Sequence, residues 1–247
     1  MIAESIARQG NWLFRWRSYV LLGFAPLALI VVTQPEPIET YFGRTADIMF
    51  ESACIALAFV GLAIRAFVVG FVPAGTSGRN TTGQIAETLN TTGLYSLTRN
   101  PLYLGNAVIY MAIACFSQNI WFAALMLLFL IVYLERIIAT EEQFLAEKFG
   151  DAYRIWAAKV PAFLPKLSGW QAPTLPFSLR NVLRREYSGF FAIILVFFVL
   201  DQSREWLAES KTVVDPDWLA ALAFGALAYV LLRWAKKRTS LLDVAGR

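Results

Sequence analysis

Six apolar runs, at roughly 18–33, 46–72, 102–117, 119–134, 188–200 and 217–234, dominate the chain, and charges or Pro, Gly and Asn bound each of them. One bilayer crossing takes about 20 apolar helical residues. Runs of this number and length predict an all-α fold, a polytopic transmembrane helical bundle of about six spans. Composition agrees, since 57% of the 247 residues are hydrophobic and only 16% are charged, against about a quarter charged in soluble domains. An ordinary soluble globule, a disordered chain and a nucleic-acid-binding domain are excluded, so no nucleic acid partner is expected.

The third and fourth runs are separated only by Ser117, Gln118 and Asn119, which predicts a tight helical hairpin. The fifth run is the shortest, and Asp201 is expected to stop it. The first is not a cleavable signal peptide on this reading, because it lacks a small-residue cleavage site and passes straight into a span ending at Pro35-Glu36-Pro37. With both termini cytoplasmic, 18 of the 22 Lys and Arg residues fall on that side, including Arg8, Arg15, Arg17, Arg79 and Arg99, while Arg44, Arg204 and Lys211 lie opposite. The positive-inside rule then fixes the expected orientation, in a plasma or inner membrane. The net charge of +4 reflects this topology, and the same face attracts anionic lipids. Two Asn-Thr-Thr-Gly sequons, at Asn80 and Asn90, fall on the cytoplasmic side, where glycosylation is not expected.

Histidine is absent and the two cysteines, Cys54 and Cys115, are isolated in apolar stretches. That removes His-based acid/base catalysis, His-ligated zinc and haem, and leaves no metal cluster to expect. The polar information is concentrated beside the predicted hairpin. In Thr92 to Asn106, turn-forming residues lead to Arg99 and Asn100, and Pro101 stands where a helix begins, with Asn100 as its expected cap. Tyr103 and Gly105 then fall in the first turn and a half, where exposed N–H groups and the positive dipole end suit a carboxylate and Gly105 permits close approach. In Glu135 to Gly150 the fourth span continues out of the membrane, with Glu135 and Glu142 on one face, Arg136 four before Thr140 on another, and Gly150 as the stop. The short tip makes the two helices antiparallel neighbours, so the Asn100–Gly105 turn emerges beside the Glu135–Glu142 turn. A zwitterionic ligand with a carboxylate, an ammonium and hydroxyls fits such a junction.

The pattern Arg99-Asn100-Pro101-x-Tyr103-x-Gly105, followed by Glu141-Glu142, Phe149-Gly150-x-x-Tyr153 and Val160-Pro161, resembles the integral-membrane methyltransferases that include isoprenylcysteine carboxyl methyltransferase and the phospholipid N-methyltransferases. The resemblance covers roughly Gly93 to Pro165. It implies S-adenosylmethionine as methyl donor, with S-adenosylhomocysteine as product, and a lipid or lipid-linked acceptor. Isoprenylcysteine enzymes usually carry His where this chain has Asn100, which tilts the acceptor toward the phospholipid branch. The resemblance implies Gly93, Tyr95, Asn100, Pro101, Tyr103, Gly105, Glu141 and Glu142 as the cofactor-binding residues. Glu141 and Glu142 are expected on the ammonium or ribose hydroxyls, and Tyr103 facing the sulfonium. Arg99, Arg136 and Glu141 are the candidates for a catalytic role, Arg136 by pairing with an anionic acceptor. On this division, residues 1–92 carry the first two spans and a loop, 93–165 the methyltransferase core, and 166–247 a connector and the last two spans.

Each residue also has a plainer reading: Asn100-Pro101 as a helix start, Tyr103 and Tyr95 as interfacial anchors, the Glu pair as a solvated face, and the arginines as positive-inside residues. Two other functions stay open, a sterol-type membrane reductase using NADPH and a non-enzymatic scaffold. Glu51 and Arg65 lie within the second run and are functional candidates by default. About 21 Å apart along a helix, they do not pair directly, and Arg65 either snorkels to the cytoplasmic surface or lines the acceptor path. The prolines at 161, 165, 173 and 176, with Trp170, predict a stiff interfacial connector.

Overall fold

The computed structural model describes residues 2–73, 75, 86–207 and 214–247, and no side chain of 2–8 or of Ser18. Asn80, Arg79 and Lys211 lie outside the described residues, as does the side chain of Arg8. Nine α-helices are found among the described residues: α1 (Ile2–Val20), α2 (Ala25–Val31), α3 (Pro37–Phe42), α4 (Arg44–Phe71), α5 (Pro101–Phe116), α6 (Ile120–Phe149), α7 (Asp151–Ala157), α8 (Leu179–Leu207) and α9 (Pro216–Arg238). All six apolar runs are helical, and no strand is present among the described residues.

Three helices, α4, α6 and α9, are long and apolar enough to cross a membrane, and α5 is a shorter apolar helix. The first run departs from the expected straight span. The Gln9–Arg17 part of α1 and the segment Leu21–Val31 meet at 77°, with a 3₁₀ turn over Leu21–Phe24 between them. The amphipathic sequence of α1 explains the bend: Arg15 and Arg17 alternate with the exposed Trp12, Trp16 and Tyr19, a composition suited to the plane of a membrane interface. The fifth run departs in the other direction. Asp201 does not stop α8, which continues to Leu207, because the next residues, Gln202 and Arg204, are buried against neighbouring elements and not lost to water.

The hairpin forms as its three polar residues predict. The backbone N–H of Ser117 returns to Ala114, Gln118 takes a left-handed φ of 56°, and the Asn119 side chain caps α6 by accepting from Phe122 N at 3.0 Å. From there α6 buries Phe122, Met126, Leu130, Tyr133 and Ile137, one face at helical spacing. These pack with Ala112 and Phe116 of α5 and Ile193, Phe197 and Leu200 of α8 in a single core, in which the Phe116 and Phe197 rings meet edge-on at 5.0 Å.

Helix α4 lies against α5 with no side chains between them at one point. A Cβ on Gly61 would stand 2.6 Å from the Gly105 carbonyl oxygen, and one on Gly105 2.7 Å from that of Gly61. Backbones this close need small residues on both helices. One turn along α4, Arg65 is half-buried and held by partners on two other helices. Its Nε and Nη2 donate to the two oxygens of Glu186 on α8, both at 2.9 Å, and its Nη1 donates to Asn106 on α5 at 2.7 Å. One guanidinium thus ties three helices.

The opposite end of the bundle holds a second buried network. The Arg204 guanidinium on α8 pairs with Glu36 and Glu51, lies over the Phe116 ring and donates to the Phe116 carbonyl, and Gln118 from the hairpin tip donates to Asp47 and Glu36. Glu51 is therefore partnered by an arginine 153 residues away. Carboxylate oxygens of Glu36, Asp47 and Glu51 lie within 4.8 Å of one another, and Arg204 is the cation they enclose.

Candidate active site

The site is built on the start of α5. Asn100, at φ −127° and ψ 55°, leaves the helical path, and Pro101, fully buried, opens the helix. Asn100 occupies the cap position, but its side chain does not cap, which corrects the expectation. Its Nδ2 donates instead to Glu142 Oε1 at 3.3 Å and to the Ala162 carbonyl at 2.9 Å. The exchange is favourable because a carboxylate and a carbonyl each need a donor once buried.

Arg99 makes the strongest contact here. Its Nε and Nη2 grip both oxygens of Glu142 at 2.9 and 3.0 Å, and its Nη1 donates to the Ala157 carbonyl at 2.7 Å. This fork geometry is available to arginine and not to lysine. Next to it, the Tyr103 hydroxyl donates to Glu141 Oε1 at 2.9 Å. The two motifs on either side of the hairpin therefore meet, Arg99 and Asn100 on Glu142 and Tyr103 on Glu141. Glu135, two turns before Glu142 on the same face of α6, is exposed and contacts Arg136.

The connector completes the wall. Pro161 accepts from Arg99 N at 2.9 Å, Phe163 from the Thr98 hydroxyl at 2.8 Å, and the Lys166 N–H returns to Leu97 at 2.9 Å. Further along, Gly93 N donates to the Gln171 carbonyl at 2.8 Å, and Gln171 N donates to Ser96 Oγ at 3.0 Å. Gly93 sits at φ +61°, a conformation that favours glycine, and a Cβ there would press on Pro173 at 3.3 Å. Residues 93–100 are thus clasped by 161–173. Tyr95, in the 3₁₀ turn Gly93–Ser96, is half-buried. Burial and the negative charge of Glu141 hold its hydroxyl above the usual tyrosine range.

Two expected members stand apart. Gly105 does permit close approach, but the group that approaches is α4, through Gly61 and the Arg65 side chain. Arg136 faces α1: its Nε donates to Gln9 at 2.9 Å, and its Nη1 to the Val132 carbonyl and Glu135. It is not joined to Arg99 or to the Glu pair. Two residues outside the expected set of site residues enter instead. The Tyr153 hydroxyl and Trp156 Nε1 of α7 are buried with no hydrogen-bond partner among the described residues. Burial first, and then the charge of Glu142, push the Tyr153 hydroxyl above its ordinary range. Tyr153 does stand in the Phe149-Gly150-x-x-Tyr153 motif, which is the signal that points to it.

Chemically, the junction presents carboxylates for a cation or for hydroxyls, together with unsatisfied donors. Glu141 uses only Oε1, and Oε2 takes no hydrogen bond from the described residues. Residues 52–152 match the phospholipid methyltransferase family. That segment runs from the first turns of α4 through the hairpin into α7 and contains Arg99, Tyr103 and the Glu pair. With three helices among the described residues long and apolar enough to cross a bilayer, the chain reads as an integral membrane protein that is similar, over that segment, to this family. The cobalt-zinc-cadmium resistance protein CzcN of Cupriavidus metallidurans is 34% identical over 86 residues, which is 35% of this chain and 39% of that protein. The nickel-cobalt-cadmium resistance protein NccN of Alcaligenes xylosoxydans xylosoxydans is 33% identical over 86 residues, 35% of this chain and 40% of that one. The chain therefore aligns with about two-fifths of the length of these relatives. No solved structure matches the chain significantly.

Proposed function

We propose that the protein transfers a methyl group from S-adenosylmethionine to a lipid or lipid-linked acceptor at the cytoplasmic face of the membrane. The single observation that carries this reading is the meeting of the Arg99-to-Tyr103 turn with Glu141 and Glu142 inside the segment that matches the phospholipid methyltransferase family. The residues present fit such a donor. Glu141 Oε2 suits an ammonium or ribose hydroxyl, and the Trp156 indole N–H, without a hydrogen-bond partner among the described residues, supplies a polar contact that a nucleoside requires. Asn100 and Pro101 hold the turn, Gly93 and Tyr95 form its opposite wall, and Gly105 acts by seating α5 on α4.

When bound, the donor supplies an electrophilic methyl on a sulfonium. The chain's contribution is alignment, for which roughly 7–11 kcal/mol is available in well-oriented systems. The absence of histidine fits, because a carboxylate or phosphate nucleophile needs no base. For an amine acceptor Glu141 takes the proton. Arg99 holds Glu142 in place through its bidentate grip, and Arg136 meets an anionic acceptor. The active site and both termini are cytoplasmic on the charge distribution. The division into 1–92, 93–165 and 166–247 is retained as a functional one, with the last helices supporting the core through Glu186. The metal-resistance names of the relatives do not carry over as a metal substrate, because the described acidic trio with ligand-like spacing encloses Arg204.

The test is incubation of membranes containing the protein with methyl-labelled S-adenosylmethionine, followed by separation of lipid-extractable from protein-bound label. Label in the lipid fraction that disappears in Glu141→Gln supports the proposal. Absence of label, together with absence of saturable donor binding, rejects it in favour of the reductase or the scaffold.

A further inference from the structure

Between α1 and α6 runs a groove of about 540 Å³, walled by Trp12 and Leu13 on one side and Phe129 and Val132 on the other, with Gln9 and Arg136 at one end. Its volume lies within the ~300–1,000 Å³ usual for ligand sites. The end at Arg136 is closed. There Gly10 of α1 crosses α6 so tightly that a Cβ on it would overlap Thr140 Oγ1 and the Arg136 carbonyl oxygen. Along its length the groove opens where α6 exposes Leu128, Ile131 and Val132, the surface that a helix in a bilayer turns to hydrocarbon. The one hydroxyl on its floor, that of Tyr133, donates to the Arg17 carbonyl and so is spoken for.

A long apolar trough with a cation at its closed end is complementary to an amphiphile with an anionic head. Arg136 has capacity for that head. Its Nε and Nη1 are engaged by Gln9, Val132 and the exposed Glu135, but the two Nη2 donors have no partner among the described residues. Arg136 also precedes Glu141 by five residues, about 7.5 Å of rise and about 140° around α6, so a head group there lies near the level of the Tyr103–Glu141 pair on the adjoining side of the helix. We propose that this groove docks the acceptor lipid, with one chain along α1 and α6 and its anionic head group on Arg136. The inference rests on the methyl-transfer reading only in naming that lipid as the acceptor.

The experiment uses the full chain in nanodiscs containing a trace of phosphatidylglycerol or phosphatidylcholine with a photoactivatable acyl chain, and maps the cross-links by mass spectrometry. The anionic lipid is expected to label peptides around Trp12 and Phe129 to Arg136 about fivefold more than the zwitterionic one, the preference that one cation near anionic head groups confers. Arg136→Gln removes the preference and keeps the labelling. Val132→Trp, at an exposed position whose enlargement fills the groove without disturbing the core, removes the labelling and raises KM for the lipid while donor affinity is unchanged. Labelling spread evenly around the apolar belt, equal for the two lipids or indifferent to Val132→Trp, overturns the proposal. Groove labelling without any methyl transfer leaves the docking site standing and defeats the methyltransferase reading. Methyl transfer without groove labelling does the reverse.

Discussion

At the hairpin-tip end of the bundle a single guanidinium, Arg204, sits among Glu36, Glu51 and Asp47, while at the other end Arg99 faces Glu142 alone and Arg65 faces Glu186 alone. The first end buries its arginine and the second half-buries both of its own, and the first carries more acid than base among its own side chains. The second balances each pair, ties the arginines to carbonyl or amide oxygens, and still leaves Glu141 Oε2 and Trp156 open. The contrast separates a polar network that holds helices together from one that holds a place for something else. In the first, the charged side chains contact one another, and the Arg204 Nε–H is left without a hydrogen-bond partner among the described residues. In the second, rigidity is supplied by residues behind the site so that those in front stay free.

The largest stability effect is expected from Arg204→Gln, which leaves the acidic trio without its cation. Removing one partner of a buried pair costs about 3–5 kcal/mol, and the variant should unfold far more readily in a detergent-denaturation titration, with little direct effect on donor affinity in the fraction that stays folded. Glu142→Gln should invert this pattern, losing donor binding by isothermal titration while stability falls by about 1–3 kcal/mol. If both variants lost stability and binding in parallel, the distinction between the two ends would collapse. Gly105→Ala forces a methyl into a 2.7 Å gap against Arg65 Cγ and the Gly61 carbonyl oxygen. It should cost about 1–3 kcal/mol by overpacking, measured in the same titration, and the effect should be relieved by neither salt nor pH.

A smaller effect separates the ends by pH. Burial pushes the Glu36 carboxyl up to about 7, with Arg204 opposing and Asp47 and Glu51 adding to the rise. The folded form holds its proton more tightly than the unfolded chain, so this contribution is complete below the ordinary value of 4.5 and is lost as pH rises through about 7. The melting temperature should therefore decline between pH 5 and pH 8, and Glu36→Gln should flatten that slope. The smallest change is expected from Tyr103→Phe, which removes one hydrogen bond to Glu141 and about 1 kcal/mol, read as a several-fold weaker donor affinity with unchanged unfolding.

The hairpin was legible because local patterns dictate it: two apolar runs, three polar residues and a capping Asn119 need no distant partner. The start of α5 was legible for the same reason in Pro101, yet the role of Asn100 was not. A cap is a local contact, whereas Glu142 and the Ala162 carbonyl reach Asn100 across 42 and 62 residues. Carbonyl acceptors of the connector have no sequence signature at all, so the clasp on residues 93–100 appears only in the fold. Arg65 and Glu51 were recognised as costly inside a span, but their partners, Glu186 and Arg204, sit on a helix whose charged ends disguise its depth. Arg136 is a candidate for an anionic acceptor in the sequence because it precedes the Glu pair on the same helix. Five residues turn a helix through about 140°, which carries Arg136 to the face of α1.

The contact of Gly61 with Gly105 has a consequence for where the protein can move. With two backbones touching, α4 and α5 have no side chain to rearrange between them, and Arg65 bolts the pair to α8 one turn away. Any opening that admits a bulky amphiphile must then come from the outer side of the hairpin, where α1 crosses α6 on a single glycine. One flank of the hairpin is thus sealed by backbone contact, and the other offers the groove between α1 and α6 as the way in from the bilayer.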